Sequence, residues 1–187
     1  ERAPLDRAEA VKRKIWSSRL QEVRDVDGKL LRIPWGFRNS GMGGRHTEEQ
    51  YPASNISLQE AMFLPLSAKT VEEAQEMTFT LQQTLQEILS DPKRSRGSRV
   101  FGAGLEGGLA TYVAPREGDP VPELQLWRAM TQAIIDSGYK PGEDVALALD
   151  PAASELEIAY REKFNQPDAV GMYLFWRAEE QVVMDRN

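Results

Sequence analysis

The most informative stretch of this sequence is Gly138-Tyr-Lys-Pro-Gly-Glu-Asp-Val-Ala-Leu-Ala-Leu-Asp-Pro-Ala-Ala-Ser-Glu155. It begins as a turn, continues as an apolar run from Val145 to Leu149, and places an acid, Asp150, where that run ends. A short run that is almost wholly apolar is typical of a strand buried on both faces, as in a parallel α/β sheet. Active sites of α/β barrels lie at the C-terminal ends of such strands, so Asp150 is a candidate ligand or catalytic group.

The composition limits the class of protein. The 187 residues carry a net charge of −6, whereas a nucleic-acid-binding protein would normally be basic, so we expect no nucleic-acid partner. There are no cysteines, which excludes disulfides, thiolate metal sites and thiol catalysis. No apolar run approaches the ~20 residues that span a bilayer, and the first residues lack the apolar region of a signal peptide. We therefore expect a cytoplasmic protein with no membrane partner.

Predicted helices and strands alternate along the chain. Thr70 and Glu73 form a capping box for a helix over residues 70–89, and a second helix follows over residues 123–137. The apolar residues of the first helix fall on one stripe, formed by Ala74, Met77, Leu81, Leu85 and Ile88. Strands separated by helices of this length predict βαβ units and a parallel sheet. The other predicted elements are a helix over residues 5–24, strands over 30–37, 56–66 and 99–102, loops over 38–54 and 91–98, and a β-hairpin formed by 156–160 and 172–184.

One motif imitates a dinucleotide-binding site. The stretch Gly102-Ala-Gly-Leu-Glu-Gly107 satisfies the G-x-G-x-x-G pattern after a short predicted strand. That pattern binds a pyrophosphate only when a helix opens at its third glycine. Here the next residues are β-prone and then interrupted by prolines, so the sequence argues against a Rossmann fold.

Four segments, taken in order, resemble the large domain of the enolase family. The stretch that ends at Glu155 resembles the segment that carries the first metal-binding aspartate of enolase. The loop Gly41-Met-Gly-Gly-Arg-His46 resembles the one that brings a histidine over the substrate. The stretch Leu58-Gln-Glu-Ala-Met-Phe-Leu-Pro-Leu-Ser-Ala-Lys69 resembles the strand with its Gln-Glu pair. The turn Gly104-Leu-Glu-Gly-Gly-Leu-Ala110 resembles its Gly-Asp-Glu-Gly-Gly turn.

The resemblance implies a fold and a reaction. The fold would be α/β, consisting of the first strands and helices of an enolase-type (β/α) barrel (TIM-like) over residues 30–187, with an N-terminal linker helix over residues 1–29. The reaction would be that of phosphopyruvate hydratase in glycolysis, a lyase that reversibly dehydrates 2-phosphoglycerate to phosphoenolpyruvate with Mg²⁺. The implied partners are a small phosphorylated carboxylic acid as substrate and a second copy in a homodimer.

The same resemblance gives roles to particular residues. Removing a proton next to a carboxylate builds up negative charge that Mg²⁺ must stabilise, and expelling the neighbouring hydroxyl needs a protonated carboxylic acid. By resemblance, Glu106 is that catalytic acid and Glu60 is its catalytic partner, because repulsion between two close carboxylates raises one pKa. His46, Gln59 and Glu60 would bind the substrate, and Asp150 would bind the metal.

Each of these residues also has a plainer interpretation. His46 could be a surface residue of a glycine-rich loop, and Glu60 an outward-facing strand residue. Glu106 could be a solvated acid in a turn, and Asp150 could initiate the turn at Pro151 or cap the element after it. Only the joint order of the four segments favours the functional interpretation.

The sequence also departs from the family pattern. Leu105 stands where the family turn has an aspartate, and Thr111 stands where it has a proline. By resemblance, the chain stops before the strands that supply the other two metal carboxylates and the lysine base. We therefore expect this chain alone neither to fold well nor to complete the reaction, and interpret it as part of a longer enzyme. The alternatives are a superfamily paralogue acting on a related phospho or phosphono carboxylic acid, or a non-catalytic half-barrel interaction module.

Overall fold

The fold is built on a mixed β-sheet with helices packed against it. The computed structural model describes residues 23–24, 30–31 and 38–186. Its strands are β1 (Val23–Arg24), β2 (Leu30–Leu31), β3 (Arg38–Met42), β4 (Glu60–Pro65), β5 (Arg99–Ala103), β6 (Leu109–Tyr112), β7 (Val145–Asp150), β8 (Met172–Phe175) and β9 (Val182–Asp185). Its helices in the described residues are α1 (Arg45–Glu48), α2 (Val71–Ser90), α3 (Glu123–Asp136) and α4 (Ala153–Phe164).

The central sheet has five strands in the order β5-β6-β3-β4-β7. Only β3 and β6 pair in parallel, and every other neighbouring pair in this sheet is antiparallel. The prediction of a parallel sheet is therefore wrong for most of the pairs. Strand β4 is antiparallel to both β3 and β7, so β3 and β7 point in the same direction. Strand β6 is parallel to β3 and therefore shares this direction.

Strand β7 lies at an edge of this sheet. Its register with β4 runs from Val145 opposite Pro65 to Asp150 opposite Glu60. The side chains of Leu147 and Leu149 are 37% and 41% exposed, so the expectation of a strand buried on both faces is wrong. An apolar run fits a half-covered edge strand as well as a fully buried one, and sequence alone does not separate the two.

The core lies between the sheet and the helices α2 and α3. The side chains of Phe63 in β4, Leu81 and Leu85 in α2, and Met130 and Ala133 in α3 are wholly inaccessible to solvent. All of the predicted apolar stripe of α2 is buried, which confirms the helical spacing in this segment. Removing such a side chain, as in a Leu→Ala change, costs about 2–5 kcal/mol of stability.

The N-terminus of α2 is capped as the sequence predicts. The Thr70 hydroxyl accepts a hydrogen bond of 3.1 Å from the backbone N–H of Glu73. The Glu73 carboxylate reaches back to the N–H of Lys69 at 2.6 Å, one residue earlier than in the standard capping box. Helix α3 begins at Glu123 and ends at Asp136, one residue before the predicted end.

Three other predictions need correction or lie outside the described residues. Val23–Arg24 form a strand and not the end of a helix, and the rest of the predicted helix over 5–24 lies outside the described residues. The strand predicted over 30–37 is present at Leu30–Leu31, and its remainder is likewise outside them. The loop predicted over 38–54 contains β3 and α1.

The segment predicted as the first strand of the last hairpin is helical. Residues 156–160 belong to α4, where Leu156, Ala159 and Tyr160 are buried at a spacing of three and four residues that suits one helix face. The hairpin itself exists, but it is formed by β8 and β9, with Met172 opposite Asp185.

The glycine-rich segment after β5 is a β-hairpin turn. The N–H of Gly104 donates to the carbonyl of Gly108 at 2.9 Å, and Gly107 adopts a φ of 79°. The chain then continues as β6, so no helix opens at the third glycine of the G-x-G-x-x-G pattern. This continuation confirms that the segment is not a Rossmann phosphate site.

None of the helices among the described residues combines the length and the apolarity needed to cross a bilayer.

Candidate functional site

Three neighbouring strands align the residues at the base of the site. Met42 at the end of β3 lies opposite Glu60 at the start of β4, and Glu60 lies opposite Asp150 at the end of β7. The β5–β6 turn packs closely on Met42, since a Cβ built on Gly108 would lie 2.2 Å from its Cγ. Only glycine therefore fits at residue 108. Because the turn packs this closely on β3, Glu106, two residues before Gly108, lies near that strand.

Glu60 and Glu106 form a hydrogen-bonded carboxyl pair. The hydrogen bond to Glu106 is the largest cause that raises the pKa of Glu60 to about 7, followed by burial and by repulsion from Glu106 and Asp150. The same hydrogen bond lowers the pKa of Glu106. Two carboxyls that interact in this way share a proton and titrate as one unit.

His46 lies beside this pair. It is on the short helix α1, and its Nδ1 is 3.5 Å from Oε2 of Glu106, with both side chains about two-fifths exposed at 41% and 43%. The loop that leads to His46 is tied down by its backbone, because the N–H of Gly43 donates to Gln59 at 3.1 Å and that of Gly44 donates to Ile56 at 2.9 Å. The structure thus brings His46, Glu60 and Glu106 together.

Gln59 is half-buried next to Glu60 but contributes through its backbone. Its carbonyl accepts the hydrogen bond from Gly43, which fixes the start of the histidine loop. Its side-chain amide forms no hydrogen bond with another described residue. A substrate contact by this amide stays a prediction.

Asp150 is exposed at the end of β7. Its Oδ1 accepts a hydrogen bond of 2.9 Å from the N–H of Ala152, so the plainer interpretation of Asp150 as a turn-forming residue is realised in the structure. Asp150 also faces Glu60 across the strand pair, and its charge contributes to the raised pKa of Glu60.

The fit of a magnesium ion to these residues is partial. A carboxylate is the kind of oxygen donor that Mg²⁺ prefers, and Mg²⁺ is commonly held by one or two carboxylates together with substrate and water. Within the described part of the chain, no three His, Cys, Asp or Glu side chains cluster to form a complete metal site. Asp150 can therefore serve as one ligand, and the described residues do not supply a full set.

Arg177 is the important residue that sequence reasoning missed. It lies after β8, and its guanidinium donates to the carbonyls of Gly44, Tyr51 and Ser54 at 2.8–3.2 Å. Burial lowers its pKa, although the nearby Glu48 acts in the opposite direction. Arg177 thereby holds both ends of the segment that carries His46, and no local sequence signal marks it.

Trp176 strengthens the same contact. Its indole N–H donates to the Glu48 carboxylate at 3.2 Å, and the guanidinium of Arg45 lies over its ring at 5.0 Å from the centroid. Glu48 and Arg45 are the two ends of α1, so Trp176 fixes the helix on which His46 stands.

The two departures from the enolase pattern occupy very different environments. Leu105, adjacent to Glu106, is 94% exposed, so the aspartate that it replaces would have projected into solvent beside the carboxyl pair. Thr111 is fully buried in β6, and its hydroxyl has no hydrogen-bond partner within the described residues. Of the two, only Leu105 alters the exposed surface beside the carboxyl pair.

Residues 31–170 match the model of the family described as the enolase C-terminal TIM barrel domain. The chain belongs to this family. The matched residues include all five predicted site residues of the enolase-type site, which are His46, Gln59, Glu60, Glu106 and Asp150. Trp176 and Arg177 lie beyond the matched residues.

Proposed function

We propose that this protein is an enolase-type lyase that reversibly dehydrates 2-phosphoglycerate to phosphoenolpyruvate. The proposal rests on one observation, the carboxyl pair of Glu60 and Glu106 with His46 at 3.5 Å, in a chain of the enolase C-terminal domain family. A pKa of about 7 for one member of the pair supports proton transfer at neutral pH.

In this proposal the pair, and not either glutamate alone, is the general acid. The C–H proton next to the substrate carboxylate passes to the lysine base that the resemblance places beyond this chain, and the electron pair left behind forms the double bond as the neighbouring C–O bond breaks. The shared proton of the pair passes to the departing hydroxyl, which leaves as water. The two carboxylates that result repel each other, and this repulsion favours the return of a proton from solvent in the next cycle. His46 contributes an imidazole at the open side of the pair, where it contacts the substrate and holds Glu106 in place.

The cofactor of the proposed reaction is Mg²⁺, with Asp150 among its ligands. When bound, Mg²⁺ stabilises the negative charge that develops on the substrate carboxylate. The cross-strand position of Asp150 relative to Glu60 supports this role, because it places a metal-binding carboxylate next to the proposed acid.

The proposal extends to the fold and the assembly. We infer that the five-stranded sheet is part of an enolase-type (β/α) barrel, which the family match over residues 31–170 and the common direction of β3, β6 and β7 support. A small phosphorylated carboxylic acid as substrate, a homodimeric assembly and a cytoplasmic location complete the proposal.

The test is a dehydration assay on the natural polypeptide that contains these residues. Formation of phosphoenolpyruvate from 2-phosphoglycerate and Mg²⁺ would be followed by absorbance for the wild type and for Glu106→Gln. Loss of general acid catalysis lowers the rate about 10²–10⁴-fold. Glu117→Gln is the matched control, because Glu117 is an exposed turn acid away from the pair, and it should stay within about twofold of the wild type.

The other outcomes separate the alternatives. Turnover confined to a phosphono or otherwise modified carboxylic acid would favour a paralogue. In that case Leu105→Asp, at an exposed residue beside the carboxyl pair, is the first variant to test for a change of substrate. An absence of turnover with any of these acids, together with an unchanged stability on adding Mg²⁺ and substrate, would contradict the proposal and favour a non-catalytic module.

A further inference from the structure

A polar cavity lies well away from the carboxyl pair. It has a volume of about 130 Å³ and is lined by four arginines, Arg94, Arg96, Arg116 and Arg128, together with Ser95 and Gln125 among others. The cavity lies between the end of α2 with the connection that follows it on one side, and Arg116 with helix α3 on the other. The chain as a whole has a net charge of −6, whereas this cavity is lined by four positively charged guanidinium groups.

Only part of this positive charge is compensated. Arg128 binds the Asp119 carboxylate with two hydrogen bonds of 2.6 and 2.7 Å, and Arg94 pairs with Asp136. Arg116 uses its Nε to donate to Gln125 at 3.2 Å, which leaves its two terminal nitrogens without a side-chain acceptor among the described residues.

Arg96 is the least engaged member of the cluster. Within the described residues, its guanidinium has neither a hydrogen bond nor an ion pair. Its backbone has a φ of 56°, in the left-handed region that non-glycine residues rarely adopt. Such a conformation costs about 1–3 kcal/mol and persists only where the surrounding structure holds it, often at ligand-binding sites.

Ser95 adds a neutral donor to the cavity. Its side chain lines the cavity although the residue is only 6% exposed, and its hydroxyl makes no hydrogen bond within the described residues. This hydroxyl is therefore free to donate to a ligand in the cavity.

The cavity is separate from the proposed active site. Glu106 lies in the turn of the β5–β6 hairpin, whereas Arg96 and Arg116 flank its open end, beyond the Arg99–Tyr112 pair. A strand rises about 3.3 Å per residue, so the length of β5 alone separates the two ends by roughly 13 Å.

We propose that this cavity binds a small tetrahedral oxyanion, either free inorganic phosphate or the phosphoryl group of a larger molecule. The planar guanidinium is suited to phosphate oxygens, which it binds through two N–H groups at once. The volume of about 130 Å³ admits a single oxyanion and is well below the roughly 300–1,000 Å³ of pockets that hold drug-sized ligands. Arg96, the terminal nitrogens of Arg116 and the hydroxyl of Ser95 would supply the contacts.

The experiment is a calorimetric titration of the natural polypeptide that contains these residues with inorganic phosphate at pH 7 in dilute chloride buffer. The wild type should bind one phosphate, and Arg96→Gln should weaken this binding at least tenfold. Lys93→Gln is the matched control, because it removes the same charge from the same connection without removing a residue that lines the cavity. It should change the affinity by less than about twofold.

Three further arms complete the test. Ser95→Ala, a small change that keeps the fold, should also weaken phosphate binding, and NMR should show amide shifts at residues 94–96 on adding phosphate. A phosphomonoester such as phenyl phosphate distinguishes the source, since equal or tighter binding indicates a phosphoryl group on a larger molecule and weaker binding indicates free phosphate. The proposal is overturned if the wild type shows no saturable binding, or if Lys93→Gln weakens it as much as Arg96→Gln does.

Discussion

Glu60 and Asp150 are direct cross-strand partners at the end of the antiparallel β4–β7 pair. Side chains opposite each other in such a pair are close, and like charges placed there repel. The repulsion is relieved when one of the two acids holds a proton, and it contributes to the raised pKa of Glu60. The sheet register therefore couples the proposed metal ligand to the proposed proton donor.

The first prediction concerns the pKa of Glu60. Its value of about 7 should fall in Glu106→Gln, because the variant removes a negative charge and offers an amide donor to the ionised Glu60. Asp150→Asn should lower it by less, since Asp150 contributes less than Glu106 does. The measurement is a pH titration of the side-chain carboxyl carbon of Glu60 by NMR.

Glu117→Gln serves as the control in this titration and should leave the midpoint of Glu60 unchanged. A Glu60 midpoint near 4.5 in the wild type, the ordinary value, would contradict the carboxyl pair itself. An equal effect of Asp150→Asn and Glu106→Gln would contradict this order, because repulsion from Asp150 would then raise the pKa of Glu60 as much as Glu106 does.

The second prediction concerns Arg177. Arg177→Ala leaves the carbonyls of Gly44, Tyr51 and Ser54 without this donor, and unsatisfied buried groups cost about 1–3 kcal/mol each. We expect the free energy of unfolding to fall by about 3 kcal/mol, and amide hydrogen exchange to accelerate in residues 44–57. Urea unfolding and exchange mass spectrometry measure the two effects.

Arg177→Lys and Arg99→Ala calibrate this result. A lysine carries its donors on one nitrogen and cannot span three carbonyls, so Arg177→Lys should recover only part of the loss. Arg99 is an exposed cation on β5, and its removal should cost less than about 0.5 kcal/mol. If Arg177→Ala and Arg99→Ala were equally mild, Arg177 would not hold the histidine loop.

The elements that could be predicted from sequence are those whose signals are local. Helix α2 has both a cap at Thr70 and a stripe of apolar residues at helical spacing, and each is found as predicted. In α4, by contrast, the buried residues span only 156–160, and a run this short suits a strand as well as a helix. The error there arose because the helical spacing of Leu156 and Tyr160 extends over a single turn.

The relationships that could not be predicted are the distant ones. The partner and direction of β7 depend on β4, which lies more than 80 residues earlier, and nothing in either strand specifies an antiparallel pairing. Arg177 contacts Gly44 across 133 residues of chain, and alone it looks like an ordinary surface cation. The proximity of His46, Glu60 and Glu106 followed only from resemblance, because these residues are far apart in sequence.

A third prediction compares two glycines next to the site. A Cβ at Gly43 would lie 2.4 Å from the carbonyl oxygen of Ile56 and 2.5 Å from that of Leu58, both backbone atoms that cannot easily move. At Gly41 the nearest atom is 2.9 Å away at the flexible end of Leu126. Overpacking costs about 1–3 kcal/mol, so Gly43→Ala should lie at or above the top of this range and Gly41→Ala near the bottom.

Thermal unfolding of the two variants tests this comparison. The order of their melting temperatures is the decisive result, because both changes add the same methyl group. Equal losses would show that the backbone around Gly43 relaxes. In that case the path of the histidine loop would depend on its hydrogen bonds and on Arg177 and Trp176, and not on close packing at Gly43.

The last prediction concerns Glu123, a fully buried acid at the start of α3. Its Oε1 accepts a hydrogen bond of 2.6 Å from the N–H of Ser57, while its Oε2 has no partner within the described residues. Burial is the main cause that raises its pKa above the ordinary value of 4.5. The native state therefore binds this proton more tightly than the unfolded chain does, and the contribution of Glu123 to stability falls as pH rises above about 4.5.

Glu123→Gln should remove that pH dependence. The amide keeps an oxygen for the N–H of Ser57 and carries no charge to desolvate, so the variant should gain stability over the wild type as pH rises from 5 to 8. Urea unfolding at both pH values measures the difference, with Glu117→Gln as an exposed control. A gap between Glu123→Gln and the wild type that stays constant or narrows over this interval would contradict a buried acid that resists ionisation.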